Sequence, residues 1–308
     1  MYTNISKKGC HILKDNIKRE DLKSNFLKNT VIRLDYDYLF EEDIELVVKN
    51  LNPFLIKKDY KMNSKTLNEI QIGFQMNKLD SNENPVDFNR KVKEEFSSYI
   101  HKDRNIVIDI TRNYATMTVK YKENKNFEEI IDVFEEIKNQ ISQSREGIGL
   151  NRIGIRKTNI YFLKNINNIN KYFEEKLFSF NSLIPNENVI IKQQLERFKY
   201  DNYNVNQNSE IQLGEYNNEE NDNEENVYRI IFDIDIYDKT IQNNKIDLGR
   251  MNDDIFKIYK SNLKEKFLNN LKEKNYENEE LFKLWKRYVN LNQYMQHQMK
   301  NIILKKRW

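Results

Sequence analysis

The 308-residue chain is predicted to fold as an α+β protein with a largely antiparallel sheet, helices on one side and further helices at the C-terminal end. Three observations carry that expectation. Apolar residues alternate with polar ones over 31–40, 70–76 and 106–121, the period of a half-buried strand. They recur at helical spacing over 44–51, 127–141 and 251–304. The runs 106–110 and 116–121 lie close enough together to pair as an antiparallel hairpin.

In chain order, Val31–Phe40 sets Ile32, Leu34, Tyr36 and Tyr38 against Arg33, Asp35 and Asp37, which reads as a strand with one wet face. Glu41, Glu42 and Asp43 then suit the positive end of a helix dipole, Ile44, Val47, Val48 and Leu51 form the helix's apolar stripe, and Pro53 falls just past its expected end. Ile70, Ile72, Phe74 and Met76 mark a second strand, and the loop around Asn82 to Pro85 separates it from an expected helix, Phe88–Ile100. This alternation of strand and helix allows a ferredoxin-like substructure. Ile106–Ile110 and Thr116–Tyr121 form the hairpin, turning around Arg112, Asn113 and Tyr114. Phe127, Ile130, Ile131, Phe134, Ile137 and Ile141 define the clearest helix of the first half. Leu150–Leu163 reads as a strand, and Ile169, Tyr172, Phe173 and Leu177 as a short helix.

Val189–Tyr200 reads as a strand, followed by a polar tract, Asp201–Asn226, whose final run Asn217–Asn226 is expected to be a solvated loop. That tract is expected to link two antiparallel strands, the second being Tyr228–Tyr237. Met251–Lys274 and Glu279–Leu304 close the chain as two amphipathic helices. The expected organisation is a mobile N-terminal segment over 1–28, an α+β domain over 29–275 whose two halves meet near 180–190, and a basic amphipathic helix over 276–308.

Composition bounds the function. Lys plus Arg at 51 against Asp plus Glu at 48 leaves +3, too small a surplus for a whole-surface nucleic-acid or membrane binder, so an electrostatic partner is met locally. A single cysteine, Cys10, excludes an internal disulfide framework and an all-cysteine metal cage, which fits a reducing, cytoplasmic location. No apolar run reaches the length of a membrane span, so no membrane partner is expected. His11, His101 and His297 are scattered, and Asp233 and Asp235 alternate on the wet face of a strand; no cofactor, metal site or catalytic residue is assigned.

Charge is unevenly placed. From Leu281 to Trp308 there is no acid, while Lys283, Lys286, Arg287, Lys300, Lys305, Lys306 and Arg307 supply seven positive charges, leaving −4 for the first 280 residues. Phe282, Trp285, Tyr288, Tyr294 and Trp308 interleave with those cations, a composition able to pair phosphates and stack bases. The stripe Leu281, Leu284, Trp285, Tyr288, Met295, Met299 and Ile302 equally fits packing against a partner helix.

The densest local signal is Gly147–Arg156, which holds three of the seven glycines within eight residues, between a helix and a strand. Such a segment can bring backbone N–H groups to a phosphate, with Arg152 and Arg156 as charge-assisted donors; it can also be a helix C-cap and tight turn. No Gly-Lys-Ser/Thr follows, and the glycines precede a strand, so it is neither a Walker nor a Rossmann loop. The run Arg152-Ile153-Gly154-Ile155-Arg156-Lys157-Thr158-Asn159 resembles the Arg-x-Gly-x-Arg-aromatic-x-Asn strand of a sporadically distributed prokaryotic family of unknown function, with Lys157 where an aromatic is usual. The resemblance implies an α+β domain without established activity and, from the family's patchy occurrence, a defence-linked setting. The glycine segment also resembles the loops of repeat-associated RNA-binding proteins of ferredoxin-like fold, although it lies mid-chain and has no histidine close in sequence.

The function expected is a non-catalytic binding protein that takes RNA or DNA, within a phage-defence system, through Arg152, Arg156, Asn159 and the Lys283–Arg307 face. The alternatives are an RNA-processing or metal-dependent nuclease, and a protein-interaction subunit that docks through its C-terminal helix.

Overall fold

The computed structural model describes residues 16–22, 26–63, 65–66, 70–74, 88–92, 95–103, 105–120, 127–178, 180, 185–218, 223–239 and 247–273. The fold is α+β, built on a largely antiparallel sheet. The chain divides into two compact units: one runs from Val31 to Ile153, and the other comprises the residues up to Thr30, Gly154–Asp238 and the chain from Asp247 on. They are called here the N-terminal and C-terminal units. Their boundaries fall inside two strands, at 30/31 and 153/154, ahead of the 180–190 region expected from the sequence.

The N-terminal unit begins with β1 (Leu27–Tyr36) and α1 (Glu41–Lys57). Ile32, Leu34 and Tyr36 are buried while the residues between them stay partly open, as the alternation requires. The Asp43 carboxylate accepts the Phe40 N–H at 3.0 Å and fixes the start of α1. Pro53 does not end this helix: α1 runs to Lys57 with Pro53 inside it. Val47, Leu51 and Leu55 are all sealed on one face, and burying Leu55 outweighs the one intrahelical bond that proline removes.

Next come β2 (Tyr60–Met62), β3 (Lys65–Thr66), β4 (Ile70–Phe74), β5 (Phe88–Val92) and β6 (Glu95–His101). The helix expected over Phe88–Ile100 is replaced by β5 and β6. β4 and β5 pair as a separate hairpin, while β6 pairs with β7 (Ile106–Ile110), setting Tyr99 opposite Ile108. A spacing of four residues at Phe88, Val92, Phe96 and Ile100 fits one helix face, but it fits one strand face as well, and pairing with β7 decides the matter. β7 and β8 (Tyr114–Lys120) form the expected hairpin. α2 (Phe127–Gln143) buries Ile130, Val133, Phe134, Ile137 and Ile141 and packs against α1. The strand order here is β9-β1-β8-β7-β6-β2, with β9 spanning Leu150–Leu163 as the sequence indicates.

The C-terminal unit orders its strands β10-β11-β12-β9, with β10 at Ile191–Tyr200, β11 at Tyr203–Asn218 and β12 at Asn223–Asp238. The polar tract expected as a connection between two strands is itself a strand, β11, which pairs with both β10 and β12. Tyr203, Val205, Gln207, Ser209 and Ile211 alternate inward, but two of these five are polar, which hides the period from a hydrophobicity reading. The expected Ile169–Leu177 helix is two short 3-10 turns, and the expected Met251–Lys274 helix is broken at Asn262–Lys264 into α3 (Leu248–Ser261) and α4 (Glu265–Lys272). At the break, Leu263 makes a β-bridge with Phe173, and the Lys264 N–H donates to the Tyr172 carbonyl at 2.8 Å.

The core of this unit is aromatic. Tyr161 packs against Phe26 at 4.6 Å and Phe173 at 4.9 Å, and Phe267 against Tyr172 at 5.1 Å. Ile17 and Phe26 are buried and the Arg19 guanidinium donates to the Asn252 carbonyl at 2.7 Å, so residues 16–22 and 26–28 pack here rather than forming part of a mobile segment. Among the described residues, no helix is long and apolar enough to cross a membrane.

Candidate nucleic-acid interface

At one end of the N-terminal unit three connections meet: the β1–α1 turn, the β7–β8 turn and the α2–β9 loop. Backbone bonds lock them together. The Leu39 N–H donates to the Arg112 carbonyl at 2.7 Å, Tyr36 to Asn113 at 3.0 Å and Asp37 to Gly149 at 2.9 Å. Thr111 braces the hairpin turn, its hydroxyl donating to the Tyr114 carbonyl at 2.9 Å.

The glycine loop belongs to this end. Gly147 lies in the turn after α2 whose Ile148 N–H donates to the Arg145 carbonyl at 3.4 Å, with φ +77°, a left-handed conformation that disfavours other residues. Gly149 donates its N–H to the Asp37 carboxylate at 2.8 Å, and a Cβ there would lie 2.7 Å from that same oxygen. The Asn151 amide donates to the other Asp37 oxygen at 3.1 Å. These two bonds hold the Asp37 carboxyl below the usual carboxylate range. The Gly149 amide read from the sequence as a phosphate donor is therefore already paired with an anion of the protein.

Around this loop stand exposed rings and guanidinium groups. Tyr38 is 51% and Phe40 61% exposed, and their rings meet edge to face at 5.9 Å. Arg112 lies 5.7 Å from the Tyr38 ring and donates to its hydroxyl at 2.6 Å, while Arg145 lies 5.3 Å from the Phe40 ring and 3.5 Å from the Asp43 carboxylate. Arg33 covers Tyr114 at 4.5 Å. Asp35 binds Arg33 at 2.6 Å and lies 3.7 Å from Arg152. Four arginines thus stand among Asp35, Asp37 and Asp43, with Glu41 and Glu42 close by on α1. With charge so nearly balanced, the patch can hold a ligand by stacking and directional donors rather than by a long-range field.

The other residues expected at the site are placed differently. Arg156 emerges from β9 on the face of the C-terminal unit's sheet opposite α3 and α4. Its Nε and Nη2 grip Asp233 at 2.8–3.0 Å, and Thr158 adds a bond to the same carboxylate at 2.9 Å. The arginine side chain is 57% exposed, whereas Asp233 is buried. Asp235, its neighbour on that face, accepts from Asn206 at 3.1 Å. Asp233 and Asp235 are thus both engaged with protein donors.

Asn159 is buried on the helix-covered face, with its amide 3.4 Å from the Phe232 carbonyl, out of reach of a ligand. Gly154 is set where a Cβ would lie 2.7 Å from the Ile236 carbonyl oxygen and from Tyr237 Cβ, so a glycine is required for β9 to approach β12. Lys157 also points inward and bonds the Asn252 side chain. Burial, aided by the Arg19 charge, holds its ammonium well below the usual lysine range. Lys283, Lys286, Arg287, Lys300, Lys305, Lys306 and Arg307 lie outside the described residues.

Tyr38, Phe40, Arg112 and Arg145 did not stand out in the sequence. The available signal was aromatic alternation running past the end of β1, together with an arginine in each of the two connections that antiparallel order brings beside it. The C-terminal unit also holds a cavity of about 420 Å³ between β10, β11 and α3, lined by Lys176, Phe198, Tyr200, Lys257 and Lys260 among others. Lys257 there pairs with Asp254, and Lys260 donates to the Ile17 carbonyl. Among the described residues, no group of three or more His, Cys, Asp or Glu is arranged to hold a metal ion. No protein-family model matches the chain, and no curated protein matches it.

Proposed function

We propose that the protein is a non-catalytic binder of single-stranded nucleic acid, taking bases on Tyr38 and Phe40 and backbone oxygens on Arg112 and Arg145. The observation that carries this reading is the pair of exposed rings, each with a guanidinium against it, at the end where the glycine loop lies. Isolated exposed aromatics are ordinary, but two adjacent rings with cationic partners make a platform for successive bases. With β2–β6 inserted between α1 and β7, the order β1-α1-β7-β8-α2-β9 and the strand arrangement β9-β1-β8-β7 support a ferredoxin-like reading of the N-terminal unit. It also puts the glycine loop between the last helix and last strand of that arrangement. The basic run over 281–308 lies outside the described residues and is a separate candidate for phosphate contacts on its charge alone. The defence-linked setting rests on the Arg152–Asn159 resemblance alone.

The test is fluorescence anisotropy with short labelled single-stranded RNA, single-stranded DNA and duplexes, at two salt concentrations. Single strands should bind more tightly than duplexes. Tyr38→Ala and Phe40→Ala should each weaken binding about tenfold, since one base stack contributes roughly 1–3 kcal/mol. Full affinity in the Tyr38→Ala/Phe40→Ala double variant, or no binding at low salt, would overturn the reading.

A further inference from the structure

We propose that the open edge of β10 pairs with the β10 of a second copy of this chain, antiparallel about a two-fold axis at Gln194. Strand β10 ends the sheet of the C-terminal unit, and among the described residues only β11 pairs with it. Long edge strands are ordinarily protected by charge, proline or bulges. This one is ten residues long and has no proline; it carries Lys192, Glu196, Arg197 and Lys199, yet leaves Ile190 69%, Ile191 64% and Leu195 53% exposed, with Phe198 also open.

The backbone direction fixes which pairings are allowed. The Ile190 carbonyl accepts from the Leu213 N–H at 2.8 Å, so even-numbered residues turn their backbone groups toward β11. Ile191, Gln193, Leu195, Arg197 and Lys199 therefore turn theirs outward. Only registers that set outward residues opposite outward residues complete a second ladder. With the axis at Gln194, Ile191 faces Arg197 and Gln193 faces Leu195 as hydrogen-bonded pairs. The even residues then meet as the closer, non-hydrogen-bonded pairs: Lys192 faces Glu196, and Ile190 faces Phe198, each pair occurring twice by symmetry.

The charge pattern selects this register. Sliding by two residues one way sets Lys192 against Gln194 and Ile190 against Glu196; sliding the other way sets Lys192 against Phe198 and Gln194 against Glu196. Only the axis at Gln194 sets Lys192 against Glu196, and on the same face it sets Ile190 against Phe198; the first slide gains Ile191 against Leu195 but leaves Ile190 facing the Glu196 carboxylate. Lys192 lies 5.0 Å from the Phe180 ring, and Glu196 accepts from Gln207 at 3.0 Å and Gln194 at 3.2 Å, so both charges are held on the strand before a partner arrives.

Sedimentation of the full chain over a range of concentrations tests this, with circular dichroism melts to confirm folding of each variant. Wild type should be a dimer. Glu196→Lys alone and Lys192→Glu alone should each raise the dimer dissociation constant about tenfold or more, because two attractive cross-strand contacts become two repulsive ones. The Lys192→Glu/Glu196→Lys double variant should dimerise again. A monomeric wild type, single variants that dimerise as well as wild type, or a folded double variant that stays monomeric would each overturn the proposal. So would a wild-type edge that pairs with an unrelated extended peptide and not with itself. None of these readings depends on nucleic-acid binding.

Discussion

Replacing Gly154 by alanine isolates the role of the glycine in the Arg152–Asn159 run. The added Cβ would lie 2.7 Å from the Ile236 carbonyl oxygen and from Tyr237 Cβ, with the Tyr237 Cα at 3.2 Å. Two of those atoms are backbone and cannot swing aside, so β9 and β12 must part by about 0.7 Å there to reach ordinary contact. Overpacking of that kind costs about 2 kcal/mol, which lowers the melting temperature of a unit this size by about 4–8 °C. Gly214, on β11, provides the control: nothing lies within 4 Å of its Cβ direction, so Gly214→Ala should melt at or slightly above wild type. Thermal melts followed by circular dichroism give the comparison. Nucleic-acid affinity measured well below the melt should be unchanged in both variants. If Gly154→Ala melts with wild type, the close strand approach is not a constraint and the packing account of the motif fails.

Two further outcomes follow from the buried ionic groups. Arg156→Ala leaves the buried Asp233 with Thr158 as its remaining side-chain donor and should destabilise the protein by about 1–3 kcal/mol in chemical denaturation, a range reduced because the arginine is more than half exposed. Arg156→Lys should fall between that and wild type, and equal stability of all three would refute the importance of the two-nitrogen grip. For Lys157, the folded chain releases the proton at a lower pH than the unfolded chain, whose lysine titrates near 10.5. Between those two points the unfolded state binds more protons, so stability rises with pH across the window and the buried ammonium costs stability below it. Lys157→Met should flatten this rise in melts taken from neutral pH to just below pH 10, before the tyrosines begin to ionise in the unfolded chain; an unchanged slope would assign the rise to another group.

Periodicity made the regular elements legible. The hairpin β7–β8 and helix α2 stand where the pattern puts them because each buries a clean apolar face, and β9 does so with Lys157 and Asn159 among its inward residues. It misled where one pattern serves two structures, as at Phe88–Ile100, and where the inward positions are polar, as in β11 with Gln207 and Ser209. The site was less legible. Gly147, Gly154 and Asn159 could be picked out, but their purpose in forming a turn, admitting a neighbouring strand and bonding a buried carbonyl depends on partners 73 or more residues away for the last two. Tyr38, Phe40, Arg112 and Arg145 come from three connections that only the fold brings together.

The inner face of the C-terminal sheet holds α3 by directional contacts as well as by apolar area. Asn252 meets Lys157, the Tyr259 hydroxyl meets Tyr161 at 2.9 Å, Lys260 reaches the Ile17 carbonyl, and the Asn262 amide just past the helix meets Gln207 at 3.2 Å. A greasy helix can slide a turn and find equivalent packing; this one would strand four polar groups away from water if it did. The helix is thereby keyed to a single seating on its unit.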